Sequence, residues 1–146
     1  QPHDYQWVGN LRANTVEVVS SNNTDLILKQ KAPADDGARL LVRVLNANGQ
    51  EGHPRLLNSE IFTAATQVLI DSKQVISPDF KVMLLPFTEG DTLPTCTWQD
   101  EQLHIQFETA TDVLTFTPNQ AGRSQVTSNR LLDSKPALNK RLRVRR

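Results

Sequence analysis

The first residues of this chain that could bind a ligand are the aromatic side chains near its first residue. There "HDYQW" spaces His3, Tyr5 and Trp7 two residues apart. In an extended strand, side chains at this spacing lie on one face, so the three rings could form a flat platform for stacking against a sugar. Trp98 is a further candidate for such a surface. The same rings would serve equally well as a lid over a sheet core, and this packing role is the preferred interpretation.

A second group of candidates lies among the last residues, "KPALNKRLRVRR", which hold six of the 16 basic side chains and no acid. In "RLRVR" the arginines alternate with apolar residues, which predicts an edge strand whose arginine face is solvated. The rest of the chain is acidic, so the basic segment could instead bind an anionic polysaccharide. The candidate ligand-binding residues are therefore Tyr5, Trp7, Trp98, Arg141, Arg143 and Arg145.

No catalytic or metal-binding arrangement is evident in the sequence. The three histidines are far apart and lack the close spacing of zinc ligands, and the one cysteine, Cys96, has the setting of a half-buried strand residue. The acidic residues that stand out occur at predicted turns or strand ends, where aspartate favours the turn itself. They are Asp35, Asp36, Glu89, Asp91, Asp100, Glu101 and Asp112. We therefore nominate no catalytic residue and expect no metal and no cofactor.

The sequence also narrows the classes of partner. Recognition of nucleic acid by stacking interleaves basic with aromatic residues, but here the two kinds of residue lie at opposite ends of the chain, so no nucleic-acid partner is expected. No apolar run approaches the ~20 residues of a membrane helix, and no membrane span is expected. The 146 residues fit a single domain, which would need neither a disulfide nor a metal to hold its core.

Apolar and polar residues alternate along most of the chain, and this period of two predicts that the elements positioning the candidate residues are strands. A hairpin is expected from "NTVEVVS" and "DLILKQK", and a central strand buried on both faces from "ARLLVRVLN". "NANGQEGHP" is expected to be an exposed loop. Residues 56–77 fit two strands or a strand and a helical turn. "FKVMLLPF" is expected to be a second buried strand closed by Pro86, and "NQAG" a tight turn.

Together these segments predict an all-β fold, an antiparallel β-sandwich of about nine or ten strands. The sandwich domain would span residues 1–130, and 131–146 would be a basic C-terminal extension or edge strand. Because apolar and polar residues alternate in "LHIQF", Leu103, Ile105 and Phe107 should point inward. The residues expected to meet them in the core are Val82, Leu84, Leu114 and Phe116.

Four segments, taken in order, resemble the C-terminal β-sheet region of heparinase II/III-like polysaccharide lyases. "HDYQW" resembles the H-x-Y/F-x-W strand of that family, and "ARLLVRVLNANG" resembles its P-R-L-L-V-R-V-L strand. "FKVMLLPFTEGDTLPTCTW" is similar to F-x-V-L-L-x-P-x-x-x-G-D-x-L-P, and "DVLTFTPNQAGRSQV" to D-x-I-x-F-T-P-x-x-x-G-R-T-x-V. The chain departs from the family after Ser128, since family members usually end soon after their last strand.

The resemblance implies a function for the chain as part of a larger protein. Lyases of that family carry an α/α toroid before their β-sandwich layers, are exported by bacteria, and cleave uronic-acid polysaccharides by β-elimination. Their catalytic Asn, Tyr and His lie on the toroid and the adjoining earlier sandwich, and none of those motifs is present in this chain. The resemblance therefore implies a non-catalytic accessory domain, periplasmic or extracellular, whose partner is an N-terminal catalytic domain of the same polypeptide.

Two other classes of function remain open at this point. A stand-alone carbohydrate-binding module would display coplanar aromatic rings at its surface. A structural or adhesion module would bind another protein through an open sheet edge. A stand-alone enzyme ranks last, because it would need a constellation of polar residues that the sequence does not show.

Overall fold

The computed structural model describes residues 1–11, 16–58, 66–118, 124–132 and 135–136. Its secondary structure consists of antiparallel strands, and no helix occurs in these ranges. The predicted all-β class is therefore confirmed. The chain divides into two compact units, Gln1–Asp91 and Thr92–Arg146.

The first unit contains two antiparallel sheets. A three-stranded sheet has the order β1-β6-β5, and a four-stranded sheet has the order β2-β3-β4-β7. The strands are β1 (His3–Leu11), β2 (Val16–Ser21), β3 (Asp25–Gln30), β4 (Ala38–Asn46), β5 (Gln50–Asn58), β6 (Thr66–Val75) and β7 (Lys81–Thr88).

The two sheets of the first unit share one hydrophobic core, as expected of a β-sandwich. Leu26 and Leu28 of β3 and Val42 of β4 cluster with Val68 of β6, and all four are at most 1% exposed. Trp7, from the edge strand β1, packs against this cluster. β4 is covered on both faces as the sequence predicted, because the consecutive residues Leu41 and Val42 are both 0% exposed.

Two strands of the first unit differ from the expectation because they lie at sheet edges. The expected loop "NANGQEGHP" contributes most of its length to β5, where a register shift between Glu51 and Arg55 includes Gly52 and the buried Pro54. β7 continues past Pro86 to Thr88. An edge strand tolerates a proline or a bulge, since one row of its backbone groups needs no partner strand.

The predicted hairpin of β2 and β3 is present, and the side chain of Asn22 organises its turn. The Asn22 Oδ1 atom accepts hydrogen bonds from the backbone N–H of Thr24 (2.9 Å) and of Asp25 (2.8 Å). This is the local capping that makes asparagine common in turns. The turn at 35–37 is also confirmed, because Asp35 Oδ1 accepts the Gly37 N–H at 3.1 Å and Gly37 has a φ of 85°.

The second unit is a single antiparallel sheet in which the strands follow their order in the chain. Gln99 pairs with Gln102, so Asp100 and Glu101 form a two-residue hairpin loop between the first two strands. The strands are β8 (Thr95–Gln99), β9 (Gln102–Gln106), β10 (Ala110–Pro118), β11 (Ser124–Leu132) and β12 (Lys135–Pro136).

The inward residues of β9 were predicted correctly, whereas the expected burial of Leu84 was not. Leu103 is 0% and Ile105 6% exposed, and Leu103 pairs with Leu114 across the sheet. Val82 packs against the hydrophobic cluster of the first unit. Leu84 is 54% exposed, because it belongs to the edge strand β7.

Several sequence expectations lie partly or wholly outside the described residues. The turn expected at "NQAG" is among them, as is most of the extension expected over residues 131–146. β11 continues to Leu132, and the two residues of β12 pair with its end. Of the two alternatives for 56–77, the described part shows the end of β5 and the whole of β6. The proposed boundary near residue 130 stays a prediction.

Candidate functional site

The predicted aromatic candidates of the first unit lie on the inward side of β1. Tyr5 and Trp7 are half-buried, and Trp7 packs against the hydrophobic cluster. The rings of His3 and Tyr5 are 6.3 Å apart and perpendicular, with an interplanar angle of 84°. These two rings therefore do not form a flat surface. The position of Trp7 corresponds to the packing role that was preferred for it.

The remaining predicted ligand-binding residues lie elsewhere in the chain. Trp98, on β8 of the second unit, is 42% exposed. Its ring lies 5.7 Å from that of Phe116 at an angle of 42°, a tilted arrangement. The candidate arginines Arg141, Arg143 and Arg145 lie outside the described residues. The structure thus brings Tyr5 and Trp7 together on one strand, and a ligand-binding role for all six residues stays a prediction.

A row of charged side chains crosses the outer face of the four-stranded sheet at one end. The strand register places Glu17, Lys29 and Arg39 side by side on β2, β3 and β4. Lys29 Nζ lies 3.2 Å from a carboxylate oxygen of Glu17 and 3.3 Å from one of Asp35. Arg39 Nη1 donates to Asp35 Oδ1 at 2.7 Å, and its Nη2 donates to Glu89.

This network fixes the charges of its members. The hydrogen bond from Arg39, assisted by the backbone N–H of Gly37, lowers the pKa of Asp35 from 3.8 to about 2. The hydrogen bond to Glu17 and then that to Asp35 raise the pKa of Lys29. Arg39 itself is 8% exposed, so its guanidinium needs these partners. The row is therefore a set of neutralised ion pairs on the face of this sheet opposite the hydrophobic cluster, with Arg39 largely buried.

An ion pair between Arg43 and Asp25 lies at the other end of the same sheet face. Arg43 Nε and Nη2 donate to the two carboxylate oxygens of Asp25 at 2.8 and 2.7 Å. Both side chains are largely buried, at 16% and 15% exposed. Such a bidentate geometry fixes both groups. The pair joins β3 to β4 and leaves little of either charge for a ligand.

The outer face of the three-stranded sheet carries a comparable arrangement around Asp71. Its Oδ1 atom accepts a hydrogen bond from Gln6 Nε2 at 2.7 Å, and its Oδ2 atom pairs with Arg55. Burial by itself would raise the pKa of Asp71, but the hydrogen bonds from Gln6 and Arg55 and the charges of Arg55 and Lys73 outweigh it and lower the pKa. This face is therefore also crossed by ion pairs.

The first unit also contains an apolar cavity of about 350 Å³ at one end of the sandwich. Its apolar lining includes Leu11 of β1, Val16 of β2, Leu28 of β3 and Leu40 of β4. Residues 12–15, which join two of these lining residues, lie outside the described part. No group of three or more His, Cys, Asp and Glu side chains that could hold a metal ion occurs among the described residues.

The second unit presents a sheet face of a different composition, which we call the threonine–glutamine face. Every second residue of β8, β9, β10 and β11 points to it, and the register aligns these residues in rows across the sheet. None of its side chains is Asp, Glu, Lys or Arg. Its residues are Thr95, Thr97, Gln99, Gln102, His104, Gln106, Thr111, Val113, Thr115, Thr117, Gln125, Thr127, Asn129 and Leu131.

Hydrogen bonds between neighbouring strands order part of this face. Gln102 Nε2 donates to Thr115 Oγ1 at 3.1 Å, and Thr111 Oγ1 donates to Gln106 Oε1 at 2.7 Å. Both bonds join β9 to β10, and Gln106 on β9 is exposed to solvent, as are most of the face residues on the flanking strands β8 and β11. The result is a regular array made mainly of hydroxyl and amide groups, exposed on the flanking strands and half-buried on most of β9 and β10.

Sequence reasoning missed this face because it followed the apolar half of each alternating pattern. The polar half was available in "TCTWQ", "QLHIQ", "TDVLTFT" and "QVTSN", where every second residue is threonine, glutamine or asparagine except for His104 and Val113. What the sequence did not supply was the register that aligns the four segments. The charged rows of the first unit also depend on the register, so they were not predicted either.

Comparisons with protein-family models, with curated proteins and with solved structures find no match to this chain. Among the described residues, no helical segment has the length and apolar character needed to cross a lipid bilayer.

Proposed function

We propose that this chain is a non-catalytic accessory β domain of a larger exported enzyme that acts on uronic-acid polysaccharides. The segments that carry the resemblance to heparinase II/III-like lyases support this proposal by their position. "HDYQW" lies in β1, "ARLLVRVLN" is β4, and "FKVMLLPF" contributes β7. The described part of "DVLTFTPNQAGRSQV" contributes to β10 and β11. The resembling residues are thus mainly strands that build the two units.

The observation that carries the proposal is that the resembling segments form strands of the scaffold, and the directions of the pKa shifts agree with it. General acid–base catalysis near neutral pH needs a carboxyl group whose pKa is raised or an amine whose pKa is lowered. Hydrogen bonds and ion pairs lower the pKa of Asp4, Asp35 and Asp71. The acidic partners of Lys29 and Lys73 raise the pKa of both amines. These groups are fixed in their charged forms, which suits a scaffold.

If this chain is a scaffold, the catalytic groups belong to another part of the same polypeptide. β-Elimination requires a base that removes the proton next to a uronate carboxylate and a group that neutralises this carboxylate. In this account neither group comes from the present chain. The chain contributes a folded partner for the catalytic domain.

An elimination assay tests the proposal directly. The purified chain and the full-length gene product are each incubated with a panel of uronic-acid polysaccharides, and the unsaturated product is followed by its ultraviolet absorbance. We expect product from the full-length protein and none from the chain alone. Unsaturated product formed by the chain alone, and abolished when the chain is heat-denatured, would contradict the proposal.

A further inference from the structure

The turn between β4 and β5 contains the only Asn-Gly pair of the chain, Asn48-Gly49. These two residues are the central pair of the turn, which a hydrogen bond from the Gln50 N–H to the Ala47 carbonyl closes at 3.1 Å. Both are exposed, and Gly49 has a φ of 65°, which glycine adopts without strain. The turn is therefore open to water, and its second residue has no side chain to shield the backbone.

An asparagine that precedes glycine can react with its own backbone, and for this reason such residues are thermolabile. The backbone nitrogen of the glycine attacks the asparagine Cγ atom, and the proton of that nitrogen leaves with the side-chain amide group as ammonia. A five-membered succinimide ring remains. Water then opens the ring at either carbonyl group and yields aspartate or isoaspartate. Water is the one co-reactant, and proximity within the chain replaces a catalyst.

The contacts of Asn48 distinguish it from other asparagines near turns. Among the residues that the structure describes, no hydrogen bond engages the Asn48 side-chain amide or the Gly49 N–H. In contrast, Asn22 Oδ1 accepts the N–H groups of Thr24 and Asp25. Asn46 Nδ2 donates to Asp79 at 2.7 Å. Both reacting groups of the Asn48-Gly49 pair are thus available for ring closure.

The same turn connects the two sheets of the first unit, because β4 belongs to the four-stranded sheet and β5 to the three-stranded sheet. Its backbone is held against β6: the Asn48 carbonyl accepts the hydroxyl of the buried Ser72, and the Gly49 carbonyl accepts the Lys73 N–H at 2.8 Å. A Cβ atom at residue 49 would lie 2.5 Å from the Lys73 carbonyl oxygen. The packing therefore leaves no room for a longer backbone.

We propose that Asn48 is a site of spontaneous deamidation, and that the isoaspartate formed there weakens the connection between the two sheets. In isoaspartate the main chain runs through the side-chain methylene, so the carbonyl that accepts the Ser72 hydroxyl becomes part of a free carboxylate. The adjacent Gly49 carbonyl is displaced from Lys73. The modification does not depend on the accessory role proposed above.

Peptide mapping by mass spectrometry tests the first half of the proposal. The folded chain is incubated at neutral and at mildly alkaline pH, samples are digested with trypsin over time, and fragmentation locates each change. We expect the peptide of residues 44–55 to gain about 1 Da at residue 48, since an amide becomes a carboxyl group. The gain should be faster at the higher pH, because the attacking nitrogen must lose its proton. Asn22 and Asn23 should stay unmodified.

Two variants identify the reacting residue. In N48Q the ring would need six members and closes far more slowly, so the gain at residue 48 should be lost. N23Q is the matched control, because Asn23 is also an exposed turn residue but precedes the β-branched Thr24, which shields the backbone nitrogen. N23Q should modify at residue 48 at the parental rate.

Urea unfolding tests the second half of the proposal. Aged parent protein that contains isoaspartate should unfold at a lower urea concentration than fresh protein. N48D carries the new charge without the extra backbone methylene, and it should unfold at the same urea concentration as N48Q.

Three outcomes would overturn the inference. The first is an unchanged mass at residue 48 in the folded chain while the urea-denatured chain gains mass there. The second is a gain at Asn22 or Asn23 as fast as that at Asn48. The third is identical unfolding of fresh and isoaspartate-containing protein. None of these measurements uses lyase activity, so the accessory role and this site can fail separately.

Discussion

The indole ring of Trp7 lies directly over the backbone of Gly9, so that a Cβ atom at residue 9 would come within 2.7 Å of the indole Cη2 atom. Both residues lie on the inward face of β1, and Trp7 packs against the core cluster. The absence of a side chain at residue 9 thus allows the ring to lie flat along its own strand. Sequence alone showed the aromatic residue but not what it covers.

The first prediction follows from this contact. G9A should lower the free energy of unfolding by about 1–3 kcal/mol, because the ring must move away from the cluster that it covers. Denaturant unfolding measures the loss. In a W7F background the smaller ring leaves room for the methyl group, so G9A should lower the free energy of unfolding much less. An equal loss in both backgrounds would show that the contact is not the cause.

The second prediction concerns acid stability. Folding lowers the pKa of Asp35 from 3.8 to about 2, so the folded state holds the ionised form more strongly than the unfolded state does. The stabilisation is therefore complete above about pH 4 and is lost as the pH falls towards 2. D35N should be less stable than the parent at pH 7, and the difference should shrink over this window.

The control for Asp35 is its neighbour in the same turn. Asp36 Oδ1 accepts the backbone N–H of Ala38 at 3.0 Å. D36N should cause a smaller loss of stability at pH 7 than D35N, because Asp36 makes none of the side-chain ion pairs that Asp35 makes with Lys29 and Arg39. The measurement is the midpoint of urea unfolding at several pH values. A gap between the parent and D35N that stays constant down to pH 2 would contradict the assigned role of the Arg39 pair.

The third prediction concerns the hairpin between β8 and β9. Its two loop residues, Asp100 and Glu101, have positive φ angles of 47° and 65°. Two-residue loops of this kind prefer Asn-Gly, because side chains other than those of Gly and Asn disfavour positive φ. D100N/E101G should therefore raise the free energy of unfolding by about 1 kcal/mol. E101Q, which removes a charge without relieving φ, should leave it nearly unchanged.

The fourth prediction compares two leucines of the four-stranded sheet. Leu41 of β4 is 0% exposed, whereas Leu84 of the edge strand β7 is 54% exposed. L41A should cost about 2–5 kcal/mol through the lost contacts and the cavity it leaves. L84A should cost less than about 1 kcal/mol, because its site is already open to water. Thermal or denaturant unfolding of the two variants side by side checks this, and similar losses would disprove the edge assignment.

The parts of the fold that the sequence predicted are those fixed by local alternation. Leu103 and Ile105 were expected inside and are buried, and the paired burial of Leu41 and Val42 follows from an unbroken apolar run. Pro54 and Pro86 were read as strand breakers. Both lie within strands, because a position at a sheet edge removes the penalty for a missing N–H. Edge position is a property of the whole sheet, so no local pattern contains it.

The candidate site was less predictable for a related reason. Single residues such as Trp7 and Trp98 were easy to notice, but their contacts with Gly9 and Phe116 were not predicted. The charged rows and the threonine–glutamine face exist only when strands distant in sequence are aligned. Thr97 and Asn129, for example, occupy one row although 31 positions separate them. Each pair of neighbouring strands can be aligned in several registers, and the sequence patterns do not determine which combination of registers the four strands adopt.

The central claim is that this chain is an accessory domain of a larger enzyme, and the intact mass of the native gene product tests it most directly. The account predicts a polypeptide much longer than these 146 residues, with a helical catalytic domain preceding Gln1. A native product that begins near Gln1 and contains no other domain would contradict the claim and favour a self-sufficient binding or adhesion module.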